Sequence, residues 1–346
     1  MNIAELIKSL ADAGVKLFVE NGKLNIKAPK DAVTPQMLDA IKERKAELIV
    51  LLGNDSGNSV QIPVIDRSAD LPLSYSQRRL WLLDQIEGGS AHYNIPSALR
   101  LRGPLDHVGL HAAFHVILER HEVLRTRYMT NASGDPVQCI LDADTANGMF
   151  SFPVSDLSAL DDKERLQNLR EAMREERDRP FDLANDLMLR GRLLRLGQDD
   201  HVLLVTAHHI ASDGWSTSIL IKELCAIYQS RILGLDGNLP ALPIQYADYA
   251  HWQQASQQAE VLAKQLAYWE AQLADLPAIH QLPLDYERPT VQGYAGSTFH
   301  QNIGRKKLDS LQDLCKRFGA TLFMGLHAVF AATLSRCSNE SDIVVG

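Results

Sequence analysis

Residues 208–214 read His-His-Ile-Ala-Ser-Asp-Gly: two adjacent imidazoles, a carboxylate at 213 and a glycine at 214. The ordinary pKa of an imidazole suits proton transfer near neutral pH. The preceding run, 201–207, is apolar, rich in β-branched residues and of strand length. After the motif, Ile219, Leu220, Leu224 and Ile227 recur at helical spacing. The histidines therefore sit where a strand gives way to a helix, the kind of turn on which α/β proteins mount chemistry. Neighbouring side chains on a strand point to opposite faces. His208 and His209 are thus poor partners for one metal, unlike the pair in H-E-x-x-H on a helix. One ring should face a cleft and the other pack inward. A core histidine bonded to a backbone carbonyl is the bland alternative for either.

Three more runs stand in order around this one. They are Leu73-Ser-Tyr-Ser-Gln-Arg-Arg-Leu-Trp-Leu82 with Tyr93-Asn-Ile-Pro96, then Arg120-His-Glu-Val-Leu-Arg-Thr126, and later Gln245-Tyr-Ala-Asp-Tyr-Ala-His-Trp252. With 208–216, which continues through Trp215 and Ser216, they resemble the motifs of non-ribosomal peptide synthetase condensation domains. The shorter HHxxxDG form is shared with chloramphenicol acetyltransferase and its relatives. The resemblance implies an α/β (α+β) fold of chloramphenicol-acetyltransferase-like lobes set in a V, with the active site between them. The sequence is shorter than a complete domain of that family. It would hold the first lobe to about residue 250 and the incomplete beginning of a second, a fragment not expected to turn over alone.

The resemblance also implies a reaction and its residues. Two substrates arrive as thioesters on the phosphopantetheine arms of donor and acceptor peptidyl carrier proteins, and an amide bond forms; no cofactor is bound directly. His209 would accept the amine proton or hydrogen-bond the amine, as general base or as positioner, while His208 turns away. Asp213, with no serine nucleophile to serve, would be structural, a buried carboxylate paired with Arg120 or Arg125. Gly214 would let the backbone turn and could offer its N–H to a developing oxyanion. For Ser216 an N-cap role is favoured over facing the tetrahedral intermediate. Trp252 and Tyr75 stand as channel lining or as core. An epimerization domain, a stand-alone HHxxxDG acyltransferase and a docking or binding module are the alternative functions.

The elements that must position these groups fall into two parts. Gly53-Asn-Asp-Ser-Gly-Asn-Ser59 has linker composition, so the chain reads as 1–52, a linker at 53–70, and 71–346. In the first part Ile3, Leu6, Ile7 and Leu10 make one face of a helix ended by Gly14. Two strands, 15–19 and 23–27, flank Glu20-Asn21-Gly22, and Asn-Gly is a strong hairpin signal. Thr34-Pro35 then opens a helix running towards residue 52. This segment resembles the β-hairpin docking domains of synthetase subunits. That implies capture of the upstream subunit's C-terminal docking tail along Lys23, Leu24, Asn25, Ile26 and Lys27 by β-augmentation. Lys23, Lys27 and Lys30 would favour an acidic tail, although edge lysines also guard against aggregation.

In the larger part, strands are expected at 96–102, 136–141, 188–196 and 201–207. Helices are expected at 106–120, 160–178, 261–273 and 321–334, the last mostly apolar and buried. The net charge of -8 argues against a nucleic-acid partner. No apolar run reaches the length of a membrane span and the N-terminus is no signal peptide, so a cytoplasmic protein is expected. The cysteines at 139, 225, 315 and 337 lack CxxC spacing and read as small buried groups, with no metal site.

Overall fold

The computed structural model describes residues 6, 10, 13–20, 23–29, 33–45, 47–48, 62–235, 239–277, 279–290, 293, 296 and 299–345. The chain divides into two units, Met1–Ile65 and Asp66–Gly346.

In the first unit, strands β1 (Lys16–Glu20) and β2 (Lys23–Lys27) form an antiparallel hairpin in which Glu20 lies opposite Lys23. Asn21 and Gly22 of the expected turn lie outside the described residues, as do Ile3, Ile7 and Lys30. Gly14 has φ +70°, the left-handed conformation that ends a helix without a Cβ penalty. Helix α1 (Pro35–Glu43) is capped by Thr34, whose side chain accepts the Met37 N–H at 3.3 Å, with Pro35 opening the helix. The helix expected to continue to 52 is interrupted at Arg44; the described residues 45, 47 and 48 are again helical. Leu6, Leu10, Val15, Ile41 and Leu48 form the core, and Leu24 of β2 packs against them.

The second unit is built on two sheets. Strands β3 (Leu71–Pro72), β5 (Thr126–Thr130) and β6 (Pro136–Ile140) form an antiparallel sheet in the order β3-β6-β5. Strands β4 (Asn94–Arg102), β7 (Val154–Asp156), β8 (Leu189–Gly197) and β9 (Asp200–His208) form the other, ordered β4-β9-β8-β7, with β7 parallel to β8 and the remaining pairs antiparallel. Its helices are α2 (Tyr75–Glu87), α3 (His107–Arg120), α4 (Ala143–Met149), α5 (Asp162–Asp178), α6 (Gly214–Ile232), α7 (Tyr246–Gln254), α8 (Ser256–Gln272), α9 (Arg305–Arg317) and α10 (Leu322–Ser338).

Strand β9 is central, and both of its faces are covered, which is why its sequence is a continuous apolar run. Leu203, Val205 and Ala207 pack with Phe114 and Ile117 of α3 and Leu220 and Leu224 of α6. Val202 and Leu204 point the other way, into a cluster with Ala172 of α5. Even-numbered positions thus face α5 and odd-numbered ones face α3 and α6.

Two expectations need correction. Helix α10 forms and is capped by Thr321, yet it is not buried: Phe323 is 75% exposed and Phe330 52%. Among the described residues it packs mainly on α9, which covers only one side of an all-round apolar helix. All four cysteines are free thiols, and only Cys315 is buried; Cys139, Cys225 and Cys337 are exposed because each lies on the solvent side of its element.

Candidate active site

The alternation along β9 decides where the two imidazoles go. His208, an even position, is 2% exposed, its N–H donating to the Met188 carbonyl at 3.2 Å. Its ring lies edge-on to Phe181, over which the Arg190 guanidinium stacks at 3.9 Å. Nδ1 of His208 accepts the Ile210 N–H at 3.1 Å, so the neutral ring carries its proton on Nε2. Burial, then the neighbouring His209 and Arg190, hold its pKa down to about 4. His209, an odd position, is exposed, and its N–H extends the ladder by one bond to the Tyr93 carbonyl at 2.8 Å.

After His209 the chain turns tightly, with the Ala211 and Ser212 N–H groups donating to the His208 carbonyl at 3.0 and 3.1 Å. Buried Ile210 anchors the turn, and its carbonyl accepts from Gln77 and Tyr128, each at 3.4 Å. Gln77 is held in turn by the capping box it forms with Ser74 at the start of α2.

Asp213 is where expectation and geometry part. It pairs with neither Arg120 nor Arg125. It is the N-cap of α6: its Oδ1 accepts from the Ser216 N–H at 2.7 Å and the Ser216 hydroxyl at 2.6 Å. Those bonds, side-chain hydroxyl first, hold its carboxyl below the usual range. The residue is exposed, so no buried cation is needed to balance it. Arg120 instead forks onto Glu223, at 3.1 and 3.2 Å, and Arg125 donates to the carbonyls of Leu118, Glu119 and Leu141. Ser216 is accordingly not the cap but the residue that the cap binds. Gly214 opens α6 without a positive φ, so the turn does not require glycine there; a Cβ at this position would meet open space. As the first helical residue its N–H has no carbonyl within the helix to bond.

A cleft of about 740 Å³ runs beside this turn. His209, Asp213 and Ser216 line it. Its lining also includes Ile219, Leu220 and Glu223 of α6, Val123 and Leu124, Leu242 and Ile244, and Arg79, Tyr93 and Tyr246. Trp252 and Tyr75 do not line it: Trp252 packs against Tyr249, and Tyr75 lies outside with its N–H on Gln253. Sequence reasoning missed His121 and Glu223, which share a 2.6 Å bond in the cleft wall. The signal was available: Ser216, Ile219, Leu220 and Glu223 fall at i, i+3, i+4 and i+7, one face of the helix that follows the motif.

Chemically, the cleft offers one exposed imidazole, a fixed turn to hold it and a helix N-terminus beside it. Among the described residues no group of three or more His, Cys, Asp or Glu side chains could hold a metal. Among them, too, no single helix is long and apolar enough to cross a membrane. In the first unit, Leu24 is half-buried, Ile26 is 39% exposed and Lys27 is exposed, so β2 presents a mixed face beside its hairpin partner.

Residues 67–346 match the family model described as Condensation domain, and residues 3–53 match that of the TubC N-terminal docking domain. A linear gramicidin synthase chain of Brevibacillus parabrevis is 41% identical over 302 residues, 87% of this chain but 6% of that protein. Phosphinothricin tripeptide synthetase PhsC of Streptomyces viridochromogenes is 39% identical over 82% of this chain and 26% of its own length. The chain therefore spans a small part of the curated relatives it matches. Among solved structures, the complex of the X-domain and OxyB from teicoplanin biosynthesis superposes with TM-score 0.67 at 28% identity, covering 81% of this chain and 60% of that one. The EpoB cyclization-docking bidomain from Sorangium cellulosum gives TM-score 0.66 at 23% identity over 97% of this chain and 65% of its own, a likeness of fold.

Proposed function

The chain belongs to the condensation-domain family of non-ribosomal peptide synthetases, with a TubC-type docking domain ahead of it, and from that premise we propose that the cleft at His209 joins two thioesters through an amide bond. The downstream aminoacyl amine attacks the carbonyl of the upstream acyl or peptidyl thioester. The C–S bond breaks, and the departing thiolate takes up the proton that the amine gives away. A thioester is already activated, so holding two tethered reactants in register supplies much of the acceleration. His209 accepts the amine proton or fixes the amine by a hydrogen bond, and the N–H of Gly214, at the start of the helix that follows, is assigned to the oxyanion. His208, sealed and neutral, shapes the turn through its bond to Ile210.

The substrates ride on phosphopantetheine arms of donor and acceptor peptidyl carrier proteins, and the chain itself binds no cofactor. Residues 71 to about 250 are read as the first lobe and those after as the beginning of a second. The edge of β2, Lys23 to Lys27, takes the C-terminal tail of the upstream synthetase subunit as an added strand. The reading assigns this chemistry to the cytoplasm.

One observation carries the proposal: of two adjacent histidines, the second alone is exposed, and it lines a cleft large enough for both reacting groups. A peptide-release assay on a synthetase carrying these residues, with both carriers loaded, tests it. Amide product that falls by roughly 10²–10⁴-fold in His209→Ala supports general-base action. Epimerised α-carbon without amide would favour the epimerization alternative. No turnover of any kind would favour a binding module, which the likeness to the X-domain of the OxyB complex supports.

A further inference from the structure

The cleft does not end at the imidazole. Its floor follows α6 for two turns, from Ser216 to Glu223, a rise of about 10 Å. Its other lining includes aliphatic side chains: Ile219 and Leu220 on the helix, with Val123, Leu124, Leu242 and Ile244 from other segments. The last lining residue on this helix, Glu223, is polar. It is anionic: burial works to raise its pKa, but the bonds from Arg120 and His121 outweigh it and hold the carboxyl below its usual range. Three of its acceptor positions are taken, by Arg120 Nε and His121 Nε2 on Oε2 and by Arg120 Nη2 on Oε1. A carboxylate offers about four such positions. One lone pair on Oε1 is left over in a wall residue of the cleft.

We propose that this trench is a side-chain subsite, and that Glu223, braced by Arg120 and His121, selects a substrate whose reacting end lies at His209 and whose side chain is a long apolar shaft tipped by a hydrogen-bond donor. The inference rests on the amide-forming reading of His209 and deepens it by naming the substrate class. An ammonium or phenol tip of lysine or tyrosine length satisfies the open acceptor after crossing the aliphatic stretch. A short side chain leaves the trench to water, and a purely apolar one of equal length strands the acceptor. A site built to hydrogen-bond a substrate rejects the analogue lacking that group, because its own polar atom is then left unpaired.

The test is calorimetric binding of pantetheine thioesters to the full chain, in matched pairs: lysyl against norleucyl, tyrosyl against phenylalanyl, with alanyl as the short control. The expected result is about tenfold tighter binding of the tipped member of each pair, the worth of one hydrogen bond to a charged acceptor. That preference should vanish in Glu223→Leu. It should vanish equally in Ile219→Trp, which fills the trench and leaves the Glu223 bonds untouched, so a folding defect in the first variant cannot mask the answer. Equal binding within each pair, or a preference surviving in Ile219→Trp, overturns the subsite while leaving the reading of His209 standing. Failure of every thioester to bind overturns both.

Discussion

A buried histidine carries a pH-dependent cost, and His208 is the residue in which that cost can be read. Its ring takes a proton in the folded chain only near pH 4, against about 6.5 when exposed. Between those values the unfolded chain binds more protons, so stability must fall as pH drops from about 7 towards 4. The full span is worth up to about 3 kcal/mol. His208→Asn keeps an acceptor for the Ile210 N–H but cannot titrate. Urea midpoints of the wild type should therefore fall further between pH 7 and 4.5 than those of the variant; parallel curves would mean that the ring is not sealed. His209, one residue on, is turned out into the cleft by the strand's alternation.

At the scale of elements, the cleft walls are held by a clamp that ties two of the motifs to an arginine outside them. Arg67, inside the stretch read as linker, forks onto Asp248 of α7 at 2.6 and 3.1 Å and bonds Glu122 at 3.0 Å. Asp248 is fully buried and caps its own helix through Gln245, a lining residue of the cleft. Removing one partner of a buried pair leaves an uncompensated charge. Arg67→Ala should thus cost about 3 kcal/mol in thermal or urea unfolding, and pairing it with Asp248→Leu should recover much of that. A loss below about 0.5 kcal/mol, the ordinary size for a surface site, would contradict the clamp.

How legible such elements were depended on whether local pattern and tertiary environment agreed. Strands β4, β8 and β9 and helices α3 and α5 follow their hydrophobic runs closely, because burial on one or both faces sets the pattern. The Asp213 cap was missed because a carboxylate expected to be buried was given the arginines of another motif as partners, whereas its distance of three residues from Ser216 made the local bond available first. Helix α2 went unread although Ser74 and Gln77 spell its capping box. For α10 the composition was misleading: apolar residues all round announce burial, and only the tertiary neighbours decide whether burial occurs.

For the whole molecule the question is how two units with separate cores divide the labour. The first has a small core and an outer strand, β2, that pairs with β1 alone among the described residues. Backbone bonds along such an edge give affinity, and charge alongside adds a part that salt removes. A synthetic acidic peptide should bind the full chain through this unit. Binding should weaken as ionic strength rises from 0.05 to about 0.5 M and should weaken again in the double variant Lys23→Glu, Lys27→Glu. Affinity unchanged by both would remove these lysines from tail capture. The larger unit holds the cleft, and its sequence match to the condensation family spans it almost end to end.

The proposed amide formation depends above all on which imidazole meets solvent, and diethyl pyrocarbonate, which modifies accessible unprotonated histidines, reads this directly. Applied to the folded chain at pH 7 and mapped by tandem mass spectrometry, it should label His209 and spare His208. A saturating pantetheine thioester should slow the labelling of His209. Labelling of His208 as fast as His209, or of neither until the chain unfolds, would contradict the assignment of the cleft.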